Sequence, residues 1–273
     1  MLVKNLSMNL VNSSDTFRTD HRQFKIADRL LRAIAQHELE LAYQPEMDLL
    51  SRKVISLEAL CRWQDEELGQ VAPDEFIGVA EAKGLIVQIG EYLLQKVLQD
   101  LPTLLQCWPA ARVAINVSGI ELGLPDFAHR VISHIEAIDI GLARHLEFEV
   151  TESVFHYNLP QVRDNLLDLQ ALGITVAIDD FGTGQSSLSR LHTLPFDKIK
   201  LDRSFVQALD DPMVQAIVQA MVQLAGHFSR TLVVEGIETQ KQLEQLSALG
   251  CQLGQGYLLC RPCNLKELPI DLL

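Results

Sequence analysis

The sequence has little that would take it out of a reducing, aqueous compartment. No apolar run approaches the roughly eighteen residues of a membrane-spanning helix, so no membrane span is expected. The first residues hold no continuous apolar stretch, so no secretory signal is expected. Cysteine is sparse and odd in number, five in 273 residues. Free thiols and a cytoplasmic location are expected from that usage, not a disulfide framework. Cys260 and Cys263 have CxxC spacing, but there is no second such pair and no βαβ redox context, so neither metal nor redox use is expected of them. Basic residues are also short: 23 Lys and Arg face 36 Asp and Glu, a formal charge of -13. That balance argues against nucleic acid polymers and anionic membranes as partners. It leaves room for a small phosphorylated ligand, because bound metal ions can invert the local field. Internal repeats and low-complexity segments are missing as well.

What is present is core-forming material. The chain is 48% hydrophobic, enough for one large α/β barrel or two small domains. Residues 1–22 are polar and read as an arm, disordered or nearly so, ahead of one barrel domain over 23–273. Phe24, Ala27, Leu31 and Ile34 recur at helical spacing and predict an amphipathic helix ending near His37. Two strands follow, Leu39–Met47 and Val54–Trp63. Their link is too short for a parallel crossover, so they form an antiparallel pair. After helices over Pro73–Lys83 and Ile89–Leu105 the chain alternates. Strands are expected at Arg112–Val117, Leu146–Val150, Thr175–Ile178, Lys198–Leu201, Thr231–Val234 and Gln252–Gln255. Helical segments follow them near Phe127–Ile138, Gln161–Leu172, Ser187–Leu191, Met213–His227, Lys241–Leu249 and Leu265. Repeated strand-then-helix order implies a mostly parallel sheet, and eight strands in this length predict a modified TIM (β/α)₈ barrel with one antiparallel strand pair at its start.

Barrels of this kind place chemistry where the parallel strands end. Here Asn116, Glu149, Asp179, Glu235 and Gln255 sit at strand ends, Lys200 lies within its strand, and the opening pair contributes Gln44, Glu58 and Arg62. Parity puts Asn116, Asp179 and Lys200 on the interior face, with their apolar neighbours turned toward the helices. Glu147 shares the face of Glu149 but lies deeper, where a buried ion pair is its expected role. Asp179 and Asp180 are adjacent carboxylates that repel unless a cation or proton lies between them. Hard oxygen donors of this type suit Mg²⁺ or Mn²⁺, while a helix cap followed by a glycine turn remains an equal reading of the stretch taken alone. With Glu58, Asn116 and Glu149 they could form a two-cation site of the kind that clamps an in-line displacement at phosphorus. Lys200 would add positive charge near the nucleophile, and Arg62 would suit a phosphate; both could equally salt-bridge the same carboxylates.

These motifs carry a resemblance. Glu58-Ala-Leu60 with Arg62 resembles the signature of the EAL-domain cyclic-di-GMP phosphodiesterases. Tyr43-Gln-Pro45, Ile115-Asn-Val-Ser118, Glu149-Val-Thr-Glu152, Asp179-Asp-Phe-Gly-Thr-Gly184, Lys200-Leu-Asp202, Glu235-Gly-Ile-Glu-Thr239 and Gln255-Gly256 follow its further motifs in order, from about Asp28 to Leu268. The resemblance implies hydrolysis of cyclic-di-GMP to linear pGpG with two Mg²⁺ or Mn²⁺ ions per site. It implies Glu58, Asn116, Glu149 and Asp179 as metal ligands and Asp180 for the second metal. Lys200 would position the attacking water, and Glu235 would act as general base or bind metal. Glu152 would hold the loop after Asp179. Gln44, Leu60, Arg62, Gln255 and Pro262 would line the nucleotide site. It also implies a homodimer and allows a regulatory protein partner.

Three positions depart from the family's usual pattern. Glu46 follows Gln-Pro where an apolar residue is usual, Gln185 replaces a tyrosine, and Gly119-Ile-Glu121 replaces an Ala-Arg-Gln-like run. Glu46 shares the face of Gln44 and is expected to weaken binding of a dianionic substrate by adding negative charge. The short arm leaves no room in this sequence for the sensor or GGDEF domain often fused to this one, so the chain is expected either to act alone or to be cut from something longer. A receptor that binds without turnover, or an interaction module that has lost the ligand, would be the alternatives on the same fold. The presence of the metal-ligand set favours the enzyme.

Overall fold

A computed structural model of the chain describes residues 21–182 and 188–269. The proposed arm lies almost wholly outside the described residues, as does Gln185. The chain divides into two compact units.

The first unit comprises residues up to Glu40 and Cys61–Ile89. It holds helix α1 (residues 21–35), the last residues of strand β2 (Val54–Asp65), strand β3 (Gly69–Val71) and helix α2 (Pro73–Lys83). Pro73 at the first turn and Gly84 in the left-handed conformation (φ 72°) bound α2 as their backbone preferences dictate. The predicted apolar face of α1 is rotated: Phe24 and Leu31 are exposed, and Ile26, Leu30 and Ala33 are fully buried. Two interleaved apolar series run along this helix, and periodicity alone could not choose between them. Trp63 packs edge-on against Phe76, ring centres 5.8 Å apart. Asp65 is buried and closes the β2–β3 turn: the backbone N–H groups of Glu67 and Leu68 each donate to its Oδ1 at 2.8 Å, and Arg29 pairs with its other oxygen.

The second unit, Leu41–Leu60 and Gly90–Leu273, contains the barrel. Its remaining strands are β1 (Leu39–Asp48), β4 (Arg112–Asn116), β5 (Leu146–Thr151), β6 (Thr175–Phe181), β7 (Lys198–Leu201), β8 (Thr231–Val234), β9 (Leu253–Gly254) and β10 (Cys263–Asn264). The ladder runs β1-β9-β8-β7-β6-β5-β4-β2, and a β1–β2 pairing closes it into eight strands. Strands β2 and β4 through β9 pair in parallel, and β1 runs antiparallel to β9. The fold is therefore a modified TIM barrel in which only β1 is inverted. Outside the eight, β10 adds to β1 with Tyr43 opposite Cys263.

Main helices fall where the apolar periodicity puts them: α3 (Ile86–Cys107), α5 (Phe127–Glu136), α6 (Leu159–Ala171), α8 (Pro212–His227) and α9 (Gln240–Ala248). Two short helices went unpredicted, α4 (Gly119–Leu122) and α7 (Arg203–Gln207). Both are one turn long and set by capping, with Ser118 and Asp202 accepting backbone N–H groups; neither is long enough to show a hydrophobic period. The departure at Gly119-Ile-Glu121 forms α4, in which Glu121 completes a capping box with Ser118.

Candidate active site

The site lies in the second unit, and strand parity builds it. On β5 the alternating Glu147 and Glu149 face the barrel interior, with Phe148 and Val150 packed outside. On β7 Lys198 and Lys200 alternate in the same sense. Ladder registers Asn116↔Glu149 and Glu58↔Ala114 bring neighbouring strands level. The result is a buried cluster centred on Lys200, which is 0% exposed.

The Lys200 Nζ lies 2.8 Å from Glu149 Oε1 and 2.8 Å from Glu235 Oε1. It is 3.4 Å from Glu58 Oε2 and 3.6 Å from Asp179 Oδ1. Amides orient Glu58: Asn116 Nδ2 donates to its Oε1 at 3.0 Å, and Gln255 Nε2 donates to its Oε2 at 2.7 Å. Gln255 also donates to Gln44 Oε1 at 2.9 Å, and Gln44 Nε2 donates to the Cys260 carbonyl at 3.0 Å. A continuous run of hydrogen bonds thus joins the β10 side of the barrel to Glu58.

Asp179 and Asp180 are consecutive, and a regular strand would send them to opposite faces. Instead the β6–β7 register shifts between Ile178 and Phe181. Asp180 there adopts a left-handed backbone, φ 52°. This bulge lets carboxylate oxygens of Asp179, Asp180 and Glu235 lie within 4.8 Å of one another. Directly beyond, Glu152, buried in the turn after β5, accepts the Gly182 N–H at 3.2 Å.

The electrostatics are unbalanced. Five carboxylates, Glu58, Glu149, Asp179, Asp180 and Glu235, share one ammonium. Burial pushes Glu149 well above the ordinary carboxylate range; Lys200 opposes this and Glu58 and Asp179 add to it. Burial likewise raises Glu235 to about 8 and Asp180 to about 6, with Asp179 adding to both. Burial also raises Asp179. Burial acts upward on Glu58 too, but Lys200 and the Gln255 and Asn116 amides together hold it below its ordinary value. For Lys200 burial works against the charge, and the surrounding carboxylates overcome it and hold the ammonium. Among the described residues neither buried Glu149 oxygen has a hydrogen bond; Oε1 is held by the Lys200 ion pair and Oε2 has no such partner. A buried anionic oxygen without a hydrogen bond, beside clustered carboxylates, fits hard divalent cations held by oxygen.

The structure brings together Gln44, Glu58, Asn116, Glu149, Asp179, Asp180, Lys200, Glu235 and Gln255 of the predicted set. Leu60 and Pro262 are half-buried. Arg62 belongs to the first unit, where it donates to the Cys61 carbonyl at 2.9 Å. Glu46 shares the interior face with Gln44 as parity requires, but it is 0% exposed and its Oε2 accepts from Lys198 Nζ at 2.6 Å. Its charge is therefore held against a lysine inside the barrel and is not presented at the rim. Lys198 also donates to Glu147 Oε1 at 2.5 Å, which supplies the partner expected for that buried glutamate. Sequence reasoning missed Lys198. The signal was available: Lys-Ile-Lys on β7 repeats the alternation of Glu-Phe-Glu on β5.

The profile of the EAL domain family matches residues 27–262. The chain is 39% identical over 251 residues to the cyclic di-GMP phosphodiesterase NbdA of Pseudomonas aeruginosa, covering 90% of this chain and 32% of that protein. The chain thus spans about a third of the length of that curated relative. Among solved structures it resembles the PaMucR phosphodiesterase in complex with c-di-GMP, with a TM-score of 0.83, 35% identity, and coverage of 90% of this chain and 100% of that one. With the inverted first strand, the acidic rim and this match over most of its length, the chain belongs to the EAL domain family.

Proposed function

We propose that this chain is a metal-dependent phosphodiesterase that hydrolyses one ester bond of cyclic-di-GMP to give linear pGpG. The observation that carries the reading is the rim cluster: Glu58, Glu149, Asp179 and Glu235 around Lys200, with Asp180 beside Asp179 and Glu235 and, among the described residues, Glu149 Oε2 buried without a hydrogen bond. The names of the relatives support the substrate. Glu58, Asn116, Glu149 and Asp179 would hold one Mg²⁺ or Mn²⁺ ion, and Asp180 with Asp179 the second. Such ions, when bound, supply a water of lowered pKa and neutralise charge at phosphorus.

The chain's own residues do the rest. Lys200 donates toward the oxygen of the attacking water while tied to Glu149 and Glu235. Glu235 accepts a proton from that water or binds metal. Asn116 and Gln255 fix the Glu58 carboxylate, and Gln44, Leu60, Gln255 and Pro262 contact the nucleotide. Glu152 tethers the loop after Asp179 through Gly182.

With this reading go a cytoplasmic location, for which the free cysteines speak, and a homodimer, which rests on the family resemblance. Among the described residues no helix is long and apolar enough to cross a membrane. A regulatory protein partner would act through the dimer interface or the arm, and sedimentation velocity tests the dimer.

The decisive assay incubates cyclic-di-GMP with the pure protein and Mg²⁺ or Mn²⁺, separates products by chromatography, and repeats the reaction in EDTA. Metal-dependent pGpG is expected, and Glu58→Ala should abolish it. Binding without turnover would overturn the enzyme reading in favour of a receptor. No binding would leave an interaction module.

A further inference from the structure

Beneath the rim lies a second charged layer that the proposed chemistry does not use. It consists of Glu46 on β1, Glu147 on β5 and Lys198 on β7, each 6% exposed or less. Lys198 Nζ bridges Glu46 Oε2 at 2.6 Å and Glu147 Oε1 at 2.5 Å. Thr175 Oγ1 donates to the other oxygen of Glu147 at 3.0 Å. Glu46 Oε1 is buried and has no hydrogen-bond partner among the described residues. Carboxylate oxygens of Glu46, Glu147 and Glu149 lie within 4.8 Å of one another, so the floor touches the rim through Glu149.

With both carboxylates ionised, two against one ammonium give this layer one excess negative charge. An ion pair alone would need only one carboxylate for Lys198. The unsatisfied Glu46 oxygen, turned among the glutamates, is costly for stability and makes no bond that a structural role requires. The field of Glu46 nevertheless reaches the rim, because its carboxylate oxygen lies within 4.8 Å of one on Glu149, and a negative charge that close favours a cation there. Buried charges of this kind are weakly screened by salt.

We infer that Glu46 is a positioning residue for the metal centre: with Lys198 and Glu147 it sets the net charge of the barrel floor, and that excess negative charge strengthens divalent cation binding at the rim. This rests on the two-cation reading given above. It replaces the expectation that Glu46 acts on the substrate.

The test is calorimetric titration of the metal-free full chain with Mn²⁺, which needs no turnover. Glu46→Gln keeps shape and an acceptor for Lys198 but brings the floor to neutrality, and should weaken Mn²⁺ binding on the order of tenfold or more. Lys198→Gln leaves two negative charges and should tighten binding. Glu46→Gln/Lys198→Gln restores one negative charge and should return the dissociation constant to within about threefold of the parent, each charge counting equally at similar distance. A purely structural role would have all three variants weaken binding, so loss of affinity in Lys198→Gln, or no recovery in the double variant, overturns the inference. An unchanged constant in Glu46→Gln overturns it equally. If the parent itself binds no Mn²⁺, the two-cation reading fails, and the inference with it.

Discussion

Asp180 is placed by its backbone as much as by its charge. A non-glycine residue at φ 52° costs about 1–2 kcal/mol, and Asn and Asp bear that cost best. The register shift beside it gives the reason the strain is retained, since it turns two consecutive carboxylates toward Glu235. Asp180→Asn should fold as the parent does, whereas Asp180→Ala should lose about a further 0.5–1 kcal/mol in urea unfolding, because alanine lacks the side chain that stabilises the left-handed conformation. Both should slow cyclic-di-GMP hydrolysis by about 100-fold or more, as expected for losing an anionic oxygen donor at charge developing in the transition state. Lys200 makes the complementary case. Replacing it with Met leaves the carboxylates uncompensated and should destabilise the metal-free chain by about 3–5 kcal/mol. Mn²⁺ should then raise the melting temperature of Lys200→Met by more than it raises that of the parent, because the added cation takes over the lost charge; an equal or smaller rise would contradict this account of the cluster.

At the scale of elements, close backbone approach holds the end of β9 in place. A Cβ on Gly256 would lie 2.2 Å from both the backbone N and the backbone O of Ile237. Backbone cannot yield as a side-chain tip can, so Gly256→Ala should cost more than about 2 kcal/mol in urea unfolding and should also impair activity by displacing Gln255. The β2–β3 turn of the first unit carries a pH dependence. Burial pushes Asp65 upward, but Arg29 and the Leu68 and Glu67 N–H groups prevail and its pKa is lowered. A lowered folded-state value means stability that is full above the ordinary carboxylate pKa, about 3.9, and lost as pH falls through the folded value. Asp65→Asn should therefore destabilise the protein by about 1–3 kcal/mol at neutral pH and flatten its acid-unfolding profile below about pH 4. These elements also show what the sequence could reveal. The antiparallel opening pair was legible from its short link, and the interior placement of Asn116, Asp179 and Lys200 was legible because a period of two forces side chains to alternate. The bulge at Asp179–Asp180 was not, since it breaks that period. The face of α1 was not, since Phe24 and Leu31 compete with Ile26 and Leu30 in composition and only packing separates them. The depth of Glu46 was hidden because parity gives the face of a strand residue but not its layer.

For the whole barrel, the two stacked layers pose an energetic problem that a cation would solve. Counting the rim's five carboxylates with Glu46 and Glu147, seven acids, all but Asp180 buried or half-buried, face only Lys198 and Lys200 among the described residues. Such an interior is stable only if protons or cations make up the difference, which is why burial raises Glu149, Glu235, Asp179 and Asp180 together. A ligand that binds the folded chain alone stabilises it by mass action, about 2.7 kcal/mol per site at a hundred times its dissociation constant. For a domain of this size about 1 kcal/mol moves the melting temperature by about 2–4 °C, so one filled site should raise it by about 5–10 °C and a second site further. Differential scanning calorimetry of the chain in EDTA and then in excess Mn²⁺ measures this directly. The rise should disappear in Glu149→Gln, whose buried carboxylate is central to the cluster, and persist in a surface variant such as Lys241→Gln, whose ion pair with Asp210 is exposed. A parent melting temperature indifferent to Mn²⁺ would mean that protons alone balance the core, and the rim would then be a folding device and not a metal centre.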